Sequence, residues 1–193
     1  QERPSRLPLS FAQQRLWFID QMGEGSKQYN MTGRYEHSGM FNMSAFELAV
    51  KCLLERHEVL RTCIRSLNGE PEQVILQEYS LPIEIGDLSA IGKSEQASLV
   101  DNMFNDEASA IFDLSTDLMI RVRVLKLAEQ KHVIFYTLHH ITSDGWSLSI
   151  FYNELSLLYK TFCDKKTNPL APLNYQYADY ALWQREWLKG DLL

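Results

Sequence analysis

The chain has 193 residues, enough for one domain with a core of its own or two small lobes, and its 45% hydrophobic and 23% charged residues are ordinary for a globular protein. A net charge of −6 with no Lys/Arg-rich run argues against nucleic acid as a partner. No apolar run reaches the roughly 18 residues of a membrane span, and "QERPSRLPLS" lacks the apolar centre of a signal peptide, so neither membrane nor secretory character is expected. Cys52, Cys63 and Cys163 form an odd set without CxxC spacing, which reads as reduced thiols in a cytoplasmic setting rather than a disulfide framework or a zinc site.

In chain order, Ser10 caps a predicted helix over Phe11–Met22, and "GEGSKQ" breaks it. "NMTGRYEHS" reads as a strand weakened by Gly33. Ser44 and Glu47 have capping-box spacing, and helical periodicity continues through "AFELAVKCLLERHEVL". Asn68-Gly69 predicts a hairpin between "TCIRSL" and "PEQVILQEY", followed by a short strand in "LPIEIGDLS". Residues 93–111 read as an amphipathic helix with Leu99, Met103, Phe104 and Ile111 on its apolar side. In "LMIRVRVLKL", Ile120, Val122 and Val124 alternate with Arg121 and Arg123. "HVIFYTLHH" is almost continuously apolar, as in a strand covered on both faces, and the short "AEQK" makes the two strands antiparallel. A helix from about Trp146 to Phe162, a proline-containing loop and an aromatic helix in "YQYADYALWQREWL" complete the chain. The expected fold class is α/β, a two-layer sandwich of a mixed sheet with helices.

The chemistry concentrates in "LHHITSDGW", where a buried strand delivers His139 and His140 to a loop that leads into a helix. Neighbouring strand residues face opposite sides, so one histidine is expected to serve chemistry and the other structure. Imidazole is suited to take a proton near neutral pH. Asp144 can orient a histidine or pair with an arginine, and Gly145 can allow a conformation or a close approach that a side chain would block. By spacing alone, such a histidine pair is more often structural than catalytic. No third ligand stands at metal-site spacing, and no GxSxG, phosphate-binding or dinucleotide motif is present.

"HHITSDG" resembles the HHxxxDG motif of the condensation domains of nonribosomal peptide synthetases. "LSFAQQRLWFID" resembles that family's opening SxAQxRLWxL, "RHEVLRT" its RHExLRT, and "YADYALWQ" its YxDxAxWQ, in the same order. The opening motif is similar to the subtype that joins an L-configured donor to an L-configured acceptor. Asp117-Leu118-Met119 departs from the Gly-Pro-Leu that the family often carries before its next strand. The resemblance implies a chloramphenicol-acetyltransferase-like half domain, with an N-terminal lobe over residues 1–174 and a linker helix over 175–193 leading to a second lobe. It implies that an amine on an acceptor carrier protein attacks a thioester on a donor carrier protein, both substrates riding on phosphopantetheine arms, with no cofactor or metal bound directly. His140 is then the catalytic histidine, as base or as positioner of the amine. The Gly145 N–H is a candidate oxyanion donor. His139 is structural, and Asp144 makes a structural ion pair with Arg61. The implied partners are the two peptidyl carrier proteins, the second lobe and an adjacent adenylation domain. Arg56, His57 and Glu58 read as a helix end where cations complement the dipole, and Tyr175, Tyr177, Tyr180, Trp183 and Trp187 as a packing face.

Two other functions are weighed beside this one. A noncatalytic scaffold that binds carrier proteins would not need the intact HHxxxDG. A stand-alone acyltransferase of the same superfamily would not need the opening and RHExLRT motifs. With one lobe only, the isolated chain is expected to be inactive.

Overall fold

The computed structural model describes residues 3–24 and 26–188. The first strand, β1, is Leu7–Pro8. Helix α1, Phe11–Ile19, follows Ser10, whose hydroxyl accepts the Gln13 N–H at 3.1 Å while the Gln13 carboxamide accepts the Ser10 N–H at 3.1 Å. The helix ends earlier than expected, because a wider π-type turn over Asp20–Glu24 takes over and Gly23 turns it at φ 97°.

Strand β2, Asn30–Ser38, spans the predicted stretch. A Cβ on Gly33 would lie 2.5 Å from the Tyr152 hydroxyl, so a larger residue there would have to displace that side chain. Helix α2, Met43–Arg56, is capped by Asn42, whose side chain accepts the Ala45 N–H at 3.1 Å. Ser44 therefore lies inside the first turn instead of capping it. The helix stops at Arg56, and a 3-10 turn over Glu58–Arg61 carries the rest of the predicted helical run. Strands β3, Thr62–Leu67, and β4, Glu70–Ile75, form the expected hairpin, with Asn68 at φ 57° and Gly69 at φ 84° as a primed turn demands. Then come β5, Ile83–Asp87, and α3, Lys93–Ser109. Ile111 lies beyond α3 and is exposed, unlike Leu99, Met103 and Phe104. Strands β6, Ile120–Ala128, and β7, Lys131–His139, precede α4, Gly145–Cys163, and α5, Tyr177–Trp187.

The strands make a mixed sheet of order β2-β7-β6-β5, in which only β5 and β6 run parallel, and a small antiparallel sheet of order β1-β4-β3. Strand β1 is too short for any period to announce it. On one face of the large sheet, Ile120, Val122, Val124, Ile134, Tyr136 and Leu138 pack against α2 and α4. On the other, Leu125, Val133 and Phe135 pack against α3. Helices lie on both faces of the mixed sheet, which explains the unbroken apolarity of β7. Arg121 and Arg123 share the α3 face. Arg121 pairs with Glu107 at 2.7 Å, and Arg123 reaches Glu84 at 2.5 Å and Glu107 at 3.6 Å. The alternation in β6 thus separates an apolar layer from a charged one satisfied by α3 and β5.

Helix α5 lies against β1 and the turn over Glu58–Arg61. Its inner side buries Ala178 and Ala181, while Tyr175, Tyr180, Trp183 and Trp187 remain exposed, with Trp183 and Trp187 stacked at 5.8 Å. Residues 189–193, the end of the linker helix expected over 175–193, lie outside the described residues. Among the described residues, no helix is long and apolar enough to cross a membrane.

Candidate active site

Strand β7 runs buried to its last residue, and alternation then divides the two histidines. His139 is fully buried and His140 is exposed. The His139 ring packs edge to face against Phe112 at 5.6 Å and Tyr29 at 6.3 Å. Its Nδ1 accepts the Ile141 N–H at 3.1 Å, and its buried Nε2 has no partner among the described residues. Burial, with smaller contributions from the charges of His140 and Arg121, pushes its pKa down to about 4. The ring is therefore neutral at neutral pH and cannot serve as a solvent-facing base. His140 donates its backbone N–H to the Tyr29 carbonyl at 2.9 Å, which fixes its backbone against the start of β2 and leaves the imidazole outside.

Beyond the pair, the turn closes on His139. Its carbonyl accepts the Thr142 N–H at 3.0 Å, the Thr142 hydroxyl at 3.0 Å and the Ser143 hydroxyl at 3.2 Å. Asp144 then caps α4. Its carboxylate accepts the Ser147 N–H and the Ser147 hydroxyl, each at 2.8 Å, and the Ser147 hydroxyl accepts the Asp144 N–H at 2.7 Å. The Ser147 N–H, with help from the hydroxyl, holds the Asp144 carboxyl below the usual carboxylate range.

The ion pair expected between Asp144 and Arg61 is not formed. Arg61 donates from Nε to the Leu54 carbonyl at 3.0 Å and from Nη1 to the Leu76 carbonyl at 2.6 Å, tying the last turn of α2 to the end of the hairpin. The helix N-terminus needs the carboxylate and the orphan carbonyls need the guanidinium, so each group is satisfied where it stands. Gly145 is also not what conformation alone would require. It is absent from the left-handed glycines, and nothing lies within 4 Å of the place its Cβ would take. It is the first residue of α4, where a backbone N–H has no partner within the helix and lies at the positive end of its dipole. Beside it, Trp146 is 81% exposed, a feature that the motif's spacing does not announce. Among the described residues, no three His, Cys, Asp or Glu side chains gather as a metal-ligand set.

The other motif residues support this corner from behind. Glu154, in mid-α4, accepts from Arg56 Nε at 3.0 and 3.2 Å and lies 2.6 Å from His57 Nε2. Arg56 and His57 thus clamp α4 to the end of α2, more than they complement a helix dipole. Gln176 bridges the same corner, donating to the Arg56 carbonyl at 2.9 Å and accepting the Glu58 N–H at 3.2 Å. Ser10 and Tyr177 share a hydroxyl contact at 2.9 Å, Gln184 accepts the Phe11 N–H at 3.0 Å, and Arg185 donates to the Leu9 carbonyl at 2.8 Å. Four stretches far apart in sequence are therefore linked in series, the opening stretch to α5, the start of α5 to the end of α2, and that end to α4.

The family model for the condensation domain matches residues 4–192, nearly the whole chain and every one of these stretches. The chain belongs to the condensation-domain family. It is 41% identical over 191 residues to malpinin synthetase of Mortierella alpina, covering 99% of this chain and 2% of that one. It is 36% identical over 183 residues to phosphinothricin tripeptide synthetase PhsB of Streptomyces viridochromogenes, covering 95% of this chain and 15% of that one. Among solved structures, the X-domain from teicoplanin biosynthesis superposes with a TM-score of 0.83 at 26% identity, covering 97% of this chain and 40% of that one. The starter condensation domain of rhizomide synthetase RzmA does so with a TM-score of 0.82 at 20% identity, covering 95% and 44%. This condensation-domain chain thus spans less than half of each of these solved chains and a small part of the curated relatives.

Proposed function

We propose that this chain supplies the histidine-bearing wall of a site that forms an amide bond between two carrier-bound substrates. The observation that carries this reading is the exposed His140 at the end of a buried strand, one turn before Gly145 at the start of α4. An amine on the acceptor carrier attacks the thioester carbonyl of the donor acyl or peptidyl chain. The C–N bond forms, and the nitrogen gives its proton to the His140 imidazole, which also holds the amine in line. The developing oxyanion sits against the Gly145 N–H and the positive end of α4. The C–S bond then breaks, and the donor thiolate takes the proton back from the His140 imidazolium and leaves as the thiol of its phosphopantetheine arm. Asp144 keeps the helix start in shape through Ser147 and takes no proton.

This reading includes donor and acceptor peptidyl carrier proteins, a second lobe to form the opposite wall, a neighbouring adenylation domain, and L-configured substrates on both sides. The isolated chain is expected to be inactive, because mutual positioning of two substrates can account for about 7–11 kcal/mol of a barrier. The test is a complete condensation domain carrying this sequence, supplied with loaded donor and acceptor carriers, with the peptide followed by mass spectrometry. His140→Ala should lower turnover by about 100-fold or more. Undiminished turnover would overturn the reading.

A further inference from the structure

We propose that the groove between β2 and α4 is a binding site, apart from His140, for a small uncharged aromatic molecule that carries a hydroxyl group. The groove encloses about 490 Å3, within the roughly 300–1,000 Å3 of small-molecule sites. Gly33 and Tyr136 lie side by side in it, three positions along the ladder from the Asn30–His139 pair. Its inner end therefore stands about 10 Å from the end of β7 that presents His140.

Glycine in a strand weakens it and marks a place where another group comes close. At Gly33 that group is the Tyr152 hydroxyl, which α4 brings over the strand. Tyr136 stands beside it, only 5% exposed, and its ring meets Tyr152 edge to face at 5.6 Å. Burial pushes both phenols up, with Tyr152 and Tyr35 adding to the effect on Tyr136, and no hydrogen bond from the described residues counters it. Two neutral hydroxyls thus line one groove, and leaving a buried hydroxyl unpaired is costly. Each phenol can donate or accept, so one ligand hydroxyl can accept from the first and donate to the second. The lining includes no carboxylate, and its one guanidinium, Arg34, is taken by Asp101 of α3 and by Glu36. His37 Nε2 lies 3.3 Å from the Met40 carbonyl. An ion in the groove would lose water without gaining a free counter-charge, which selects an uncharged molecule. At the outer end Phe41 stacks on Tyr159 at 5.4 Å and tilts against Phe46 at 5.3 Å, a wall suited to a flat ring.

p-Cresol, toluene and p-toluate share one ring and differ in the hydroxyl and the charge. Amide spectra of the isotope-labelled 193-residue chain, titrated with each, read the site. p-Cresol should shift the amides of Gly33, Tyr136 and Tyr152 saturably. Toluene should bind about 5–10-fold more weakly, as the loss of a hydroxyl contact implies, and p-toluate should not bind over the same range. Tyr136→Phe should remove most of the preference for p-cresol over toluene. Ser156→Trp, which fills the groove from an exposed position on α4, should abolish the binding of both. His140→Ala should leave all three affinities unchanged, so this site and the reading of His140 stand or fall separately. Binding of p-toluate or toluene as tight as that of p-cresol, a preference that survives Tyr136→Phe, or shifts centred on residues 140–145 would overturn the proposal. The comparison of the three compounds on the parent chain decides it even where a variant does not fold. The same titration in a complete condensation domain separates a ligand site from a contact with the second lobe: retained binding supports the proposal, and lost binding overturns it.

Discussion

Acidification should destabilise the folded chain chiefly through one ring. His139 has a pKa of about 4 when folded, against 6.5 for a free imidazole. Above pH 6.5 the ring is neutral in both states and contributes no pH dependence. As pH falls below that, the unfolded chain takes up a proton that the buried ring refuses, so stability drops. Below pH 4 the folded ring is protonated too and the loss stops growing. The difference, 6.5 − 4 = 2.5, at about 1.36 kcal/mol per pH unit gives a loss of about 3 kcal/mol by pH 4. That is a large part of the roughly 5–15 kcal/mol that holds a domain together. His132 is pushed in the same direction by burial and by its neighbours His37 and Lys126, so the comparison must be made against a variant. Urea unfolding followed by tryptophan fluorescence, at steps between about pH 7.5 and 4, should therefore be run on the parent and on His139→Asn. With a slope of about 2 kcal/mol per molar urea, the parent's midpoint should fall by about 1.5 M more than the variant's. Parallel midpoints across that range would refute the claim that His139 is buried as a neutral ring.

Two further substitutions probe the frame around the site. Glu154→Ala removes the shared acceptor of Arg56 and His57, both largely buried, and should destabilise by about 3 kcal/mol in urea unfolding. Glu154→Gln, which keeps one carbonyl oxygen, should lose less, and equal losses would mean the carboxylate is not shared. Asp144→Ala should cost about 1 kcal/mol, the usual effect of a lost N-cap, and Asp144→Ser should recover most of it. Since Arg61 makes no pair with Asp144, combining Asp144→Ala with Arg61→Leu should give additive losses. A coupling above about 0.5 kcal/mol would contradict the separation of the two groups.

What the sequence made legible follows from periodicity and turn chemistry. The unbroken apolar run of β7, the alternation of β6, the Asn68-Gly69 turn and the Ser10 cap all appear where those local rules put them. Strand alternation also separated His139 from His140, because a period of two needs no tertiary knowledge. The errors lie where a residue's partner is distant or ambiguous. Asn42 and Ser44 are both capping types, and only the path of the chain decides between them. Arg61 and Asp144 have opposite charges, but the guanidinium found the carbonyls of Leu54 and Leu76, which no pattern of side chains reveals. Glu154 gave no signal at all, since its role depends on residues almost a hundred positions earlier. Which face of the sheet α3 covers is likewise a choice that periodicity within one element cannot make.

The clasp between Arg3 and Asp179, at 2.7 Å and reinforced by Arg3 to Glu58 at 2.6 Å, has a mechanical meaning. It joins points 176 residues apart, close to both limits of the described chain. Tension applied along the chain from either limit would load this clasp, and the Arg185 and Gln184 contacts to Leu9 and Phe11, before reaching a single bond of the large sheet. Side-chain bonds pulled in parallel share a load, whereas a hairpin pulled at its end opens one rung at a time. The lobe is thus built like a buckled strap, in which strain arriving through α5 passes to the α2 corner and α4, and the turn that carries His140 is shielded from direct pull.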